Sequence, residues 1–169
     1  MGYRWFQSQQ IEPLFGFGFG LSYTTFDLGD LSVDAPDGVA SPVTVTTTVT
    51  NTGAVAGAEV VQVYLGVPSD GQPPKRLVGF QKVFLEPGAS EEVAVVLDPA
   101  VTSHPFAVWD YASRSFQAVD GEYTVFVGTS ADSTPLTATI PGRDSPVSLQ
   151  KRLDPLQPLL QGGDITLGR

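Results

Sequence analysis

His104 is the only histidine in a chain of 169 residues. A hydrolytic triad would need it as the base, hydrogen-bonded to a positioned nucleophile. It stands before Pro105 in a stretch that reads as a loop, and no Gly-x-Ser-x-Gly elbow supplies the nucleophile. Paired carboxylates are the other route to acid–base work, acting when held about 5–10 Å apart across a bound substrate. Four pairs are close in sequence: Asp27/Asp30, Asp34/Asp37, Glu91/Glu92 and Asp120/Glu122. Each falls at a turn or on the outer face of a strand, where carboxylates are simply solvated. Gly16-Phe-Gly18-Phe-Gly20 invites comparison with phosphate-cradling loops. It lacks their Gly-x-Gly-x-x-Gly spacing, a following Lys-Ser/Thr and a helix N-terminus to hold an anion. No cysteine is present, which excludes disulfides and thiolate metal sites. An alternating Asp/Asn calcium loop is missing as well. The expectation is a chain with no catalytic residue, no metal site and no cofactor.

Stacking is a different kind of chemistry, and the aromatic residues raise it. Trp109, Tyr111 and Phe116 cluster in sequence, while Tyr64 and Phe80 stand elsewhere. Exposed rings of this kind bind sugar rings or aromatic polymers. Buried, the same residues are core, the usual place for a large aromatic. Core is the favoured reading for Trp109, and both readings stay open for Tyr111. Tyr64, Trp109 and Tyr111 are the candidates for a polymer-binding surface.

The elements that position these residues are strands. Val43 to Thr50 alternates strictly, with Val43, Val45, Thr47 and Val49 on one face and four threonines on the other. That is the period of a half-buried strand, and so many β-branched residues argue against a helix. Similar segments follow. Phe26 to Val33 carries an expected bulge at Gly29, and Glu59–Val67 sets Val61, Val63 and Leu65 against Val60, Gln62 and Tyr64. Leu77–Leu85, Glu91–Leu97, Glu122–Val127 and about 136–140 complete the series, with short pieces at 106–111 and 114–118. Asp37-Gly38, Asn51-Thr-Gly53, Glu86-Pro-Gly88 and Asp120-Gly121 punctuate it as turns. Seven or eight short strands without a helix predict an all-β fold, with two sheets facing each other across one core. A closed barrel is the competing architecture.

The ends differ. Residues 1–13 hold one apolar patch, Tyr3, Trp5 and Phe6, which reads as the end of a larger body or as a strand needing a partner. Residues 14–23 alternate phenylalanine with glycine. Interior glycines make a poor strand, so this segment reads as a linker buried between two bodies. Residues 142–169 are broken by Pro and Gly and read as a disordered tail.

Composition closes off some partners. Net charge is −9, and the only Lys-Arg neighbours are Lys75-Arg76 and Lys151-Arg152, so nucleic acid is not an expected partner. No run approaches the roughly 18–20 apolar residues of a membrane helix, and residues 1–15 do not resemble a signal peptide. No membrane partner is expected, and the residues assign no compartment.

Several motifs together carry a resemblance. Glu12-Pro-Leu-Phe15 and Phe17-Gly-Phe-Gly-Leu-Ser-Tyr-Thr-Thr-Phe26 are similar to the junction segment of family 3 glycoside hydrolases, the β-glucosidase and β-xylosidase type. Gly2-Tyr-Arg-Trp-Phe6 resembles the end of the α/β domain before it. Val49-Thr-Asn-Thr-Gly53, Glu59-Val-Val-Gln-Val-Tyr64, Arg76-Leu-Val-Gly-Phe80, Leu85-Glu-Pro-Gly88, Trp109-Asp110 and Gly121-Glu-Tyr-Thr-Val-Phe-Val-Gly128 resemble that family's fibronectin type III-like domain, in order.

The resemblance implies an immunoglobulin-like sandwich over 24–141 and a piece of a longer, secreted parent. It implies that the family's catalytic Asp and Glu lie in upstream domains, so no catalytic residue carries over and the chain alone is not an enzyme. The implied partners are those catalytic domains, met through Trp5, Phe6, Phe15, Phe17, Phe19, Leu21 and Tyr23. Gly16 stands where the family has Pro, which predicts a looser linker. The alternative functions are a polysaccharide- or lignin-binding module and a free-standing immunoglobulin-like scaffold or adhesion module.

Overall fold

The computed structural model describes residues 2–142. Nine strands run β1 Phe26–Asp34, β2 Val43–Asn51, β3 Gly57–Gly66, β4 Arg76–Leu85, β5 Ser90–Leu97, β6 Ala107–Asp110, β7 Ser115–Ala118, β8 Glu122–Gly128 and β9 Leu136–Pro141. Seven of them make a two-sheet sandwich, with orders β1-β2-β5 and β4-β3-β8-β9 and antiparallel pairing throughout. The remaining two, β6 and β7, pair only with each other as a hairpin. Strand count thus rises to nine, while the sandwich itself keeps seven.

Alternation builds the core. Val43, Val45, Thr47 and Val49 of β2 are all buried and face Val61, Val63, Leu65, Val125 and Val127 of the other sheet. The bulge at Gly29 is present, where the β1–β2 register shifts between Gly29 and Ser32. Thr47 explains why a hydroxyl is tolerated inside: its Oγ1 donates to the Gly29 carbonyl at 2.7 Å, beside the register shift.

Asn51, the chain's only asparagine, is fully buried at the end of β2. Its Oδ1 accepts from Thr24 Oγ1 at 2.6 Å and from the Gly53 N–H at 3.1 Å. Its Nδ2 donates to the Val55 carbonyl at 2.9 Å and the Leu85 carbonyl at 3.0 Å. One side chain thereby ties the start of the sandwich, the 51–55 loop and the end of β4 together.

One expectation is corrected at the N-terminus. Tyr3–Ser8 forms a helix, α1, where no helix was expected. Six residues are too few to be helical alone. The helix is held from outside: Tyr3 Oη accepts the Leu77 N–H at 2.6 Å, and Gln7 Nε2 donates to the Ala131 carbonyl at 3.1 Å. Tyr3 and Gln7 are one turn apart and so share a face. The tail expected to be disordered lies outside the described residues, apart from Gly142.

Candidate functional site

The outer face of the four-stranded sheet is the first candidate. Strand parity turns Val60, Gln62 and Tyr64 of β3 outward, opposite the core-facing Val61, Val63 and Leu65. Across the β3–β4 ladder, Gln62 pairs with Phe80, Val60 with Lys82 and Ala58 with Phe84. Helix α1 and the Phe-Gly segment lie over part of this face.

Phe17 stacks on Tyr3 with ring centroids 4.9 Å apart, and its carbonyl accepts the Ala131 N–H at 2.7 Å. The Phe19 N–H bonds back to the Gly16 carbonyl at 3.0 Å, closing a turn. Gly18 sits third in that turn with φ +85°, the left-handed region a type II turn requires there. A Cβ on Gly18 would also collide with the Gln62 amide. The segment is therefore folded: Phe17 turns to Tyr3, while Phe15 and Phe19 stack on each other at 5.1 Å. At Gly16, Asp132 fills the space a Cβ would take.

Beneath this cover lies Tyr64, and here a candidate fails. Tyr64 is 0% exposed, so it presents no ring to a polymer. Its Oη donates to Gln62 Oε1 at 2.6 Å, Gln62 Nε2 donates to the Thr129 carbonyl, and Tyr3 meets its ring edge-on at 5.9 Å. Lys75 Nζ sits 5.5 Å from the Tyr64 ring centroid and 5.3 Å from that of Phe126. Burial, then the nearby Tyr3 and Asp132, pushes the Tyr64 phenol well above its usual value; burial lowers the Lys75 ammonium, which Asp132 partly opposes. The sequence marked Tyr3 only as part of an apolar patch and assigned Gln7 and Lys75 no role at this face; their roles arise only when α1 meets the sheet.

Outside the cover the surface is apolar and open. Phe15, Phe17, Phe19, Phe80 and Phe84 are about half to two-thirds exposed, while Leu21 and Tyr23 are 93% and 99% exposed. Trp5 is exposed and Phe6 half-buried. A groove of about 660 Å³ runs between residues 17–22 and the side chains of Val60, Phe80 and Lys82. Taking ~200 Å² for a whole large side chain, Phe15, Phe17, Phe19, Leu21, Phe80 and Phe84 leave on the order of 700–800 Å² uncovered. That exceeds the ~300–600 Å² of the largest patch on a typical monomer.

The second candidate is the β6–β7 hairpin. Trp109 pairs with Phe116 across it, centroids 5.2 Å apart and planes at 75°, and His104 stacks on Phe116 at 4.1 Å. Trp109 is 45%, Phe116 47% and Tyr111 86% exposed, so the expectation that Trp109 is core does not hold. The hairpin's base is anchored twice. Arg76 Nη2 donates to the carbonyls of His104, Pro105 and Ala107, at 3.3, 2.5 and 3.0 Å. Tyr123 Oη reaches the Phe106 and Val119 carbonyls, both at 2.7 Å, and accepts the Val119 N–H at 2.8 Å. The Asp110 carboxylate accepts the Ala112 and Ser113 N–H groups, and hydrogen bonding from Ser113, then Ala112, holds it below the usual carboxylate range.

The carboxylate pairs are not gathered with His104. Asp27, Asp30, Asp34 and Asp37 lie along β1 and the turn after it, Glu91 and Glu92 on β5, and Asp120 and Glu122 at the β8 turn. Among the described residues no group of three His, Asp or Glu side chains is placed to hold a metal ion. No helix among them is long and apolar enough to cross a membrane.

Residues 59–131 match the fibronectin type III-like domain family. A probable β-glucosidase I of Aspergillus fumigatus is 40% identical over 141 residues, covering 78% of this chain. Two solved structures superpose on it. The GH3 β-glucosidase of Bifidobacterium adolescentis has a TM-score of 0.77 at 33% identity, covering 90% of this chain and 25% of that one. The β-glucosidase DesR of Streptomyces venezuelae has a TM-score of 0.75 at 36% identity, covering 83% and 18%. The chain carries the fibronectin type III-like domain of the family 3 glycoside hydrolases. It spans 16% of the length of the Aspergillus relative. The alignment, at 78% of the chain, extends well beyond the 73 residues (59–131) of the domain match. In this fibronectin type III-like domain the β6–β7 hairpin stands between the last strand of the smaller sheet, β5, and β8.

Proposed function

We propose that the chain is a non-catalytic accessory module of a β-glucosidase-type family 3 glycoside hydrolase, which packs on the catalytic domains and stabilises them. Residues 1–13 are then the end of the preceding α/β domain, 14–23 the linker and 24–141 the sandwich. The observation that carries this reading is the uncovered strip of Phe15, Phe17, Phe19, Leu21, Phe80 and Phe84. Its area approaches the ~800 Å² that each partner contributes to a stable interface. Trp5, Phe6 and Tyr23 extend the same contact. The β-glucosidase activity named for the relatives belongs, in this reading, to the domains met by that strip.

The test is reconstitution. The catalytic portion of the Aspergillus relative, cut before the segment that matches this chain, is purified with and without this chain. Co-elution and a higher melting temperature of the catalytic portion are expected. Separate elution with unchanged melting contradicts the proposal, as does aryl glucoside hydrolysis by this chain alone.

A further inference from the structure

We propose that the β6–β7 hairpin is a stacking site for a single sugar ring of a neutral polysaccharide, seated in the angle between Trp109 and Phe116. Both rings belong to four-residue strands and are absent from the core, whereas Ala118 and Val119 just beyond them pack against it. Large aromatics left half-exposed on so short an element contribute little to the sandwich. They are nonetheless held in place. His104 stacks on Phe116, the Arg76 guanidinium ties three carbonyls at the base, and the Tyr123 phenol ties two more groups there. A rigid ring loses little freedom on binding a ligand.

The size and shape select the occupant. The exposed halves of Trp109 and Phe116 amount to roughly 200 Å², taking ~150–250 Å² for a whole aromatic side chain. A stable protein partner needs ~800 Å² from each side. A pyranose is amphipathic: its C–H face stacks on a ring and its hydroxyls point outward. The planes of Trp109 and Phe116 stand at 75°, so they cannot lie together on a flat crystalline surface; the proposed seat is the notch between them, where one sugar ring stacks on a single aromatic face. The turn beside the notch, residues 111–114, is exposed throughout and offers the Tyr111 phenol and Arg114 guanidinium to sugar hydroxyls. The net charge of −9 disfavours an acidic polymer, which leaves a neutral one.

The full chain is run in native gels containing soluble mixed-linkage β-glucan, neutral arabinoxylan or polygalacturonate, beside albumin. Retardation by at least one neutral polymer is expected. Trp109→Ala should weaken it at least tenfold, Trp109→Tyr should retain most of it, and Phe80→Ser/Phe84→Ser should leave it unchanged. Circular dichroism checks that each variant is folded. Should Trp109→Ala not fold, amide shifts of the wild-type chain on adding the retarding polymer replace it, and these should fall within residues 104–118. The proposal is overturned by no retardation in either neutral gel, by retardation with polygalacturonate alone, by equal retardation of a folded Trp109→Ala, or by shifts confined to residues 17–22 and β4.

Discussion

Asn51→Ala gives the sharpest test of how the sandwich is closed. The side chain is fully buried and makes four hydrogen bonds, two accepted and two donated. Their net contributions are about 0.5–1.5 kcal/mol each, and a buried polar group left without a partner costs about 1–3 kcal/mol. Not all four losses count fully. The Thr24 hydroxyl can turn to a new acceptor, and the Gly53 N–H lies near an exposed loop where water reaches it. The Leu85 carbonyl, at a buried bond, has no such relief. The sum is about 2–4 kcal/mol. At roughly 3–5 °C per kcal/mol for a domain of this size, the melting temperature should fall by about 10 °C. Thr24→Val, which removes one bond, should cost about 1 kcal/mol. Asn51→Asp keeps the shape and the two accepted bonds but sets a carboxylate against two carbonyls, so at neutral pH it should cost at least as much as Asn51→Ala. Urea unfolding followed by circular dichroism measures all three. An Asn51→Ala variant within 0.5 kcal/mol of wild type would refute the reasoning.

Three further outcomes are expected. Arg76→Met removes a donor from three carbonyls at the hairpin base, of which that of His104 keeps a further partner, the Ala107 N–H; it should destabilise by about 1–3 kcal/mol, with faster amide exchange at 104–110, and unchanged exchange there rules out the anchoring role. The Asp110 carboxyl is held below its usual value, so its support of the 110–113 turn is present above the unfolded pKa near 4 and lost as pH falls through the folded value. Trp109 fluorescence in a Trp5→Phe background should therefore change below about pH 4, and Asp110→Asn should abolish that change. Finally, Phe15→Ser/Phe19→Ser should lower both self-association and dye binding by the isolated chain without lowering its melting point, because both rings are exposed. A wild-type chain that sediments as a clean monomer at high concentration contradicts the premise.

Most of the sandwich was legible because its strands alternate. The run Val43 to Thr50 fixes its own inner face, and the turns after it are spelled by Gly, Pro, Asn and Asp. The parity of β3 was legible too, but the burial of Tyr64 was not. Parity says only that Tyr64 leaves the core side; what then covers it is Tyr3, about 60 residues away, on a helix too short to announce itself. The same limit applies to Asn51. Its place at a turn could be read, while its four partners come from three separate segments. Trp109 erred in the other direction: an aromatic in a sandwich is usually core, but Trp109 lies on a hairpin that pairs with neither sheet and leaves its ring 45% exposed.

Hydrogen exchange on mixing with the catalytic portion reaches the central claim most directly. The account predicts new protection along residues 3–21 and over Phe80–Phe84 on the outer side of β4, with little change along the smaller sheet. Protection confined to β1, β2 and β5, or none anywhere while the two parts are together at high concentration, would contradict it.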